Sequence, residues 1–570
     1  MQIDWDVEIA TSDGSVVRAD VFRPDGDGSF PVLMSCGPYA KGLHFSEGFP
    51  MQWKGLTSRH PEVLRGSSGR YANWETVDPE RWVPFGYACV RVDSRGAGRS
   101  PGVIDCWSPR EIEDFCECIE WAARQPWSNG KIGLAGVSYY ATTQWQVAAK
   151  RPRHLAAICP FEGYSDFYRD VCRHGGIMHT FLMEWYPRQV AAVQHGLGSR
   201  ARVNPNTGVS IAGPDELSDE QMRANRVDIE GKVLAAELIE DSYYKERTPD
   251  LAAIDVPVLS CGNWGGHGVH LRGNVQGWLG AGSKQKWMEF HGREHWTEFY
   301  TDYGVALQKR FFDHFLKGED NGWDKEPPIR MLVRHVDGFV ERTEQEWPLA
   351  RTQWTRRYLD AGSARLASAP SDLAAQTRFD GLDGKASFST APFEQATEIT
   401  GPVAARLHVS TTARDADLFL TVRAYDTAGK EHLIVAASEF NAPLAQGWLR
   451  ASHRKLDTER SRPWQPFHSH DEIQFLEPGQ VYELDIEIWP MSFVFPKGWR
   501  LVLTVGTSDF QHDLPGPWPE IYGKPMRGSS VLLHDHPRDR TRERFGGEVT
   551  IHTGGAHPSF LLLPVVPEKR

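Results

Sequence analysis

The sequence predicts an α/β domain followed by a separate all-β region, and three observations carry that reading. A short apolar strand around Ile132 and Leu134 runs through Gly136-Val137-Ser138 directly into a helix-compatible stretch, 142–150. Buried-type apolar runs at 31–35, 87–93, 155–160, 256–261 and 286–291 alternate with stretches of helical period, the pattern of a parallel sheet covered by helices. From about residue 350 the texture changes to short alternating strands at 404–409, 417–424, 481–488, 500–505 and 530–533, separated by turn signals, which predicts a β-sandwich.

Five hundred and seventy residues exceed what one hydrophobic core supports and predict two to three domains. The formal net charge of −12, from 63 basic and 75 acidic residues without a basic cluster, argues against nucleic acid or an anionic membrane as a partner. The start, Met1-Gln2-Ile3-Asp4-Trp5-Asp6, is acidic where a secretion signal is basic, and no run of about 18 apolar residues occurs. A soluble cytoplasmic protein is expected. Its eight cysteines, all between Cys36 and Cys261, are then expected to be reduced, mostly as core thiols. Cys116 and Cys118 form a C-x-C on a predicted helix, which is not a zinc spacing, and no H-E-x-x-H occurs, so neither a metal nor an organic cofactor is expected.

Taken in order, 7–10 and 16–22 alternate as a hairpin around Asp13-Gly14, and the strand 31–35 ends in Gly37-Pro38-Tyr39. The strand 87–93 leads into Ser94-Arg95-Gly96-Ala97-Gly98-Arg99-Ser100, which lacks the lysine of a phosphate-binding loop and is read as structural, with Arg95 buried and paired. Ile112, Phe115, Ile119 and Trp121-Ala122 place a helix over 111–124, stopped by Gln125-Pro126-Trp127. The strand 155–160 leads into Phe161-Glu162-Gly163-Tyr164-Ser165-Asp166. Residues 166–249 are helical in period, broken by a polar stretch at 198–214, and read as an inserted helical cap. His174, Met178, Phe181, Met183, Trp185 and Tyr186 are candidates for an apolar wall. A helix over 303–316 closes the first domain. The expected organisation is 1–165 and 250–349 as α/β core, 166–249 as cap and 350–570 as β-sandwich.

A serine in a tight strand-to-helix turn is held in strained backbone with its hydroxyl clear of the sheet, the placement of the nucleophile in an α/β-hydrolase. The general G-x-S-x-G pattern is imperfect here, because Tyr140 stands at the second glycine. The longer stretch Gly136-Val137-Ser138-Tyr139-Tyr140-Ala141-Thr142-Thr143-Gln144-Trp145-Gln146 resembles the G-x-S-Y-x-G…QWQ segment of the cocaine esterase and X-prolyl dipeptidyl aminopeptidase family of serine hydrolases, with Ala141 in place of the later glycine. Gly37-Pro38-Tyr39 resembles the segment whose tyrosine hydroxyl donates to the oxyanion in that family. Residues 93–100 resemble its D-x-R-G-x-G-x-S turn. Gly401-Pro402, Asp415-Ala416-Asp417-Leu418 and Gly447-Trp448-Leu449-Arg450 resemble landmarks of its C-terminal jelly roll. The resemblance implies an α/β-hydrolase domain with an inserted cap, followed by a jelly roll.

His295, in Gly292-Arg293-Glu294-His295-Trp296, fits the loop after the last strand where such a fold carries its catalytic histidine, whereas His291 should still be strand. The family's triad aspartate follows the preceding strand. Here that run is Gly262-Asn263-Trp264-Gly265-Gly266-His267-Gly268, without a carboxylate. An imidazole that takes a serine proton needs an anion on its other nitrogen. Glu162, after the neighbouring strand, is the first candidate to supply it across Gly265 and Gly266, and Asp166 is the second. The expectation is a serine hydrolase of ester or amide bonds in small molecules. Ser138 is the nucleophile, His295 the base, Glu162 the orienting acid, and Tyr39 with the Tyr139 backbone N–H the oxyanion donors. An X-prolyl dipeptidyl peptidase and a non-catalytic hydrolase-like binding protein are the alternatives. Cap helix hairpins often pair, so a homodimer is compatible with this reading.

Overall fold

The apolar runs of the first half assemble into one ten-stranded sheet. The computed structural model describes residues 1–514 and 520–568. Strands Gln2–Ala10 and Val16–Arg23 form the expected hairpin at one edge, and the hairpin's second strand lies antiparallel to Ala88–Asp93. Parallel strands then follow across the sheet as Ala88–Asp93, Phe30–Gly37, Ser128–Val137, Leu155–Phe161, Val258–Asn263, Lys286–His291 and Ile329–His335. Gly338–Glu344 closes the far edge antiparallel. The strand leading to Ser138 is therefore central. Ile132 and Leu134 are completely buried, as expected for a parallel strand covered on both faces.

The helix beside it spans Pro109–Ala123. Ser108 accepts from the Glu111 N–H, Pro109 occupies the first turn, and Ile112, Phe115, Cys118, Ile119 and Ala122 form its buried stripe. Arg95 differs from expectation: it is only partly buried and pairs with Asp114 on that helix and with Asp13. The buried charge of its turn is Asp93, which accepts the backbone N–H of Lys41 and of Arg99.

Residues 166–249 contain short helices, Phe181–Trp185, Asp219–Ala224, Ile229–Ala235 and Ser242–Lys245, joined by single turns and loops. Glycines at 196, 198, 208 and 213 have positive φ and fall in or beside the polar stretch at 198–214 where the sequence marks a break in the helical period. No helix among the described residues is long and apolar enough to cross a membrane.

In the second half the strands anticipated from residue 350 onward are present, but their pairing is continuous. Thr397–Thr411 pairs with Tyr482–Phe495 on one side and with Phe560–Val566 on the other, so the ladder returns to its start as a closed β-barrel. Among the described residues the ladder thus closes on itself, which pairs strand edges that an open sheet would expose. Leu407, Leu418, Ile486, Phe493 and Leu503 fill its core.

A buried ion network ties this barrel to the 166–249 segment. Arg450 is fully buried against Asp417 and Asp539, and Asp539 also holds Arg173 at 3.0 Å. Asp539→Ala leaves two buried guanidinium groups short of an anion. It is expected to cost about 3–5 kcal/mol, read as a fall in the thermal unfolding midpoint.

Candidate active site

Ser138 lies at φ 59°, ψ −112°, between the central strand and the helix Tyr139–Lys150. Its N–H donates to the Phe161 carbonyl at 3.1 Å, and the preceding Val137 N–H donates to the Glu75 carbonyl at 3.0 Å, so the turn is pinned from both sides. The departures from the nucleophile motif are absorbed by glycines elsewhere. A Cβ at Gly37 would lie 2.6 Å from the Tyr140 ring, and one at Gly163 would lie 2.6 Å from the Ala141 Cβ. Tyr140 and Ala141 fit because their neighbours have no side chain.

The Ser138 Oγ is 3.1 Å from His270 Nε2. His270 precedes the helix Leu271–Gly280, and burial together with the neighbouring His295 holds its value well below that of an ordinary histidine. Its ring stacks on that of His295, with centroids 4.7 Å apart and planes within 9°. His295 donates from Nδ1 to Glu162 Oε2 at 2.8 Å and from Nε2 to Glu75 Oε1 at 3.0 Å. Glu162 Oε1 in turn receives His291 Nε2 at 3.0 Å and the Asn263 amide at 3.2 Å.

These contacts set the charges. Burial would raise the Glu162 carboxyl, but His295 and His291 outweigh it and bring it to about 2. Burial would lower His295, yet Glu162 and Glu75 push it up to about 10. Burial raises Glu75 to about 7 against the pull of His295. His295 is thus held as an imidazolium against the Glu162 carboxylate, with the Glu75 carboxyl, raised by burial, at its other nitrogen. Glu75 and Glu162 have left-handed backbones like Ser138, with φ 61° and 52°. Such conformations cost roughly 1–3 kcal/mol each and concentrate at functional sites.

Ser138, Tyr39, Glu75, His270 and His295 share a cavity of about 40 Å³. Of the residues expected from sequence, Glu162 and His295 meet directly. His295 presents its second nitrogen to Glu75, while Ser138 is held by His270. Asp166 lies apart, bonded to Arg169 at 2.7 Å. The Tyr39 hydroxyl accepts from Trp185 Nε1 at 3.0 Å, which leaves its own proton free, and burial keeps the phenol protonated. The Tyr139 N–H opens the helix, where backbone amides have no intrahelical acceptor. Its phenol donates to Glu111. Among the wall candidates, Phe181 and Trp185 line the cavity. His174 instead contacts His534, and Met178 is fully buried in the core.

The room at Gly265 also serves a different purpose from the one expected. A Cβ there would strike the Ala436 backbone, so the glycine lets the C-terminal domain dock. Ala437 donates to the Gly265 carbonyl and accepts the His295 N–H, both at 3.1 Å, and Ala437, Ile521, Tyr522 and Leu532 complete the cavity wall. Sequence reasoning missed His270 and Glu75. His270 had a faint signal, since it stands two residues beyond the glycine-rich run where the family acid was missing; Glu75 had none, since it lies in a connection without periodicity. Glu162, His270 and His295 offer donor atoms within 4.8 Å of one another. With protons on both His295 nitrogens, that residue has no lone pair for an ion.

The X-Pro dipeptidyl-peptidase (S15 family) pattern matches residues 13–297, and the pattern of the C-terminal non-catalytic domain of X-Pro dipeptidyl-peptidases matches 321–562. The chain belongs to the S15 family. Among S15-related proteins, cocaine esterase of Rhodococcus sp. (strain MB1 Bresler) is 25% identical, with 98% of each chain covered. A putative Xaa-Pro dipeptidyl-peptidase of Streptomyces avermitilis is 24% identical over 89% of this chain and 78% of its own. The crystal structure of a CocE/NonD family hydrolase from Staphylococcus aureus superimposes with a TM-score of 0.83 at 32% identity, covering 99% of this chain and 94% of that one. The protein is accordingly a hydrolase with an α/β-hydrolase domain and the C-terminal domain of its family.

Because His291 and His295 are raised above their unfolded value of about 6.5, their pairing with Glu162 stabilises fully below that pH and is lost as pH rises toward about 10. The Glu162 share is present above about 4.5 and is lost as pH falls toward about 2. Glu162→Gln is therefore expected to lower the thermal midpoint most at pH 4.5–6.5, by about 3–5 kcal/mol. The gap should narrow as pH approaches 10.

Proposed function

We propose that this S15 member is an acyl esterase or acylase working through an acyl-enzyme on Ser138. The observation that carries the reading is the strained Ser138, its Oγ 3.1 Å from an imidazole in a buried cavity that also holds the Glu162–His295 pair. In this reading Ser138 attacks the carbonyl, and His295, oriented by Glu162, takes the serine proton and later returns it to the leaving group. The Ser138 hydroxyl turns from His270 to His295, whose rings are stacked side by side. The Tyr39 hydroxyl and Tyr139 N–H receive the oxyanion, and Tyr39 is suited to this because Trp185 already uses its lone pair.

His295 is favoured as base because it has a carboxylate on Nδ1, whereas a proton on His270 would create a second cation stacked on its neighbour. The 3.1 Å contact to Ser138 favours His270 as the second reading. Among the described residues no lysine or arginine lines the cavity, whose volume is about 40 Å³, which supports a short, uncharged acyl group. Among the described residues Glu75 is the one acidic residue lining it and is engaged by His295, so the ester or acylase reading stands ahead of the X-Pro peptidase reading. The 166–249 segment is read as the cap and the C-terminal domain as a jelly-roll-type fold closing the site. A cytoplasmic location fits the free cysteines.

Incubation with a fluorophosphonate should add one label, mapped to Ser138 and absent in Ser138→Ala. Failure of the folded wild type to label would refute the nucleophile assignment. Tyr39→Phe should lower kcat on small esters by about 10²–10³ with little change in KM. His295→Ala should abolish turnover while His270→Ala retains part of it; the reverse order would assign the base to His270.

A further inference from the structure

Glu75 has no part in the esterase scheme as so far described, yet it occupies the nitrogen that the scheme requires. Its Oε1 is 3.0 Å from His295 Nε2, and its Oε2 is buried, with the Trp74 indole as its neighbouring donor, in the cavity that Ser138 also lines. Its left-handed backbone is fixed by its own carbonyl, which accepts the N–H of the residue preceding the nucleophile. The carboxyl is therefore built into the elbow and cannot swing away with a loose loop. While Nε2 carries a proton held by Glu75, His295 has no lone pair for the Ser138 proton.

We propose that Glu75 is the proton store of the site: it takes the Nε2 proton of His295 and so converts a resting imidazolium into the neutral base. This rests on the serine hydrolase reading above. The step is internal and balanced. The N–H bond of the imidazolium breaks, an O–H bond forms on Glu75, the carboxylate becomes a neutral acid and the ring becomes a neutral imidazole. No proton leaves the protein. The lone pair on Nε2 then accepts the Ser138 proton during attack.

The surroundings make the transfer feasible. Across the ring stands Glu162, backed by His291, and beside it the neutral His270. The other titratable groups facing Glu75 are the phenols of Tyr39, Tyr140, Tyr300 and Tyr522, which burial keeps protonated. Among the described residues no lysine or arginine lines the cavity to hold Glu75 ionised. Burial raises the Glu75 carboxyl to about 7, and the opposing pull of His295 is removed once the ring is neutral.

The test is the pH dependence of kcat/KM on a small ester for the wild type, Glu75→Gln and Glu75→Asp, with fluorophosphonate labelling of each. With the store in place, wild-type activity should be flat between about pH 7 and about pH 10. Glu75→Gln must lose the proton to solvent, so its kcat/KM should rise about tenfold from pH 7 to pH 9. Glu75→Asp keeps the acid and should keep the flat profile at a lower rate. A wild type that takes no label overturns this proposal together with the reading it rests on. A labelled wild type, with Glu75→Gln flat in pH at any level of activity, overturns the store alone. Should Glu75→Gln fail to fold, a Glu75→Asp profile that slopes while the wild type is flat overturns it equally.

Discussion

The His295 ring, buried and donating to a carboxylate from each nitrogen, is the constraint from which the rest of the site follows. A charge removed from water must be paired closely or given up. Glu162 meets that need on one side and is itself shared with His291 and Asn263, which rise from the two neighbouring strand ends. Glu75 meets it on the other side. The strand ends at Asn263 and His291, the residue after the third strand and the loop that carries Glu75 are thus tied together through Glu162 and the His295 ring.

The same constraint explains why Ser138 rests against His270. An imidazolium with both nitrogens engaged cannot accept the serine hydroxyl. The second ring, neutral because it is stacked on a cation in a dry site, can. The strained backbones of Ser138, Glu75 and Glu162 are tolerated because hydrogen bonds from the sheet hold each of them. The Phe161 carbonyl takes the Ser138 N–H, the Glu75 carbonyl takes that of Val137, and the Cys261 carbonyl takes that of Glu162 at 2.7 Å.

The C-terminal barrel is part of the cavity rather than an appendage. It enters at Gly265, where a side chain would collide with Ala436, and it holds the histidine loop through the Ala437 backbone. The residues that exclude water from Ser138 come partly from 437–438 and 521–532, far along the chain from the nucleophile. Low local dielectric strengthens every charge interaction in the cavity, so the barrel's contribution is electrostatic as well as steric.

The sequence by itself determined the parallel sheet, the strand–serine–helix turn and the change to an all-β domain, because each is written in local periodicity and in turn residues that act over a few positions. It also pointed to Glu162 as a carboxylate beside the position of the missing aspartate, since a strand end next to the empty position follows from the order of a parallel sheet, and Glu162 does contact His295. The tertiary structure alone decided that His270 takes the Ser138 hydroxyl, that Glu75 occupies His295, and that Gly37 and Gly163 make room for Tyr140 and Ala141. Those contacts join residues tens to hundreds of positions apart, where no local pattern reaches. The closure of the β-strands into a ring was hidden for the same reason: alternation sets which face of a strand is buried, while only the pairing of Thr397–Thr411 with strands on both sides decides whether the ladder ends or returns.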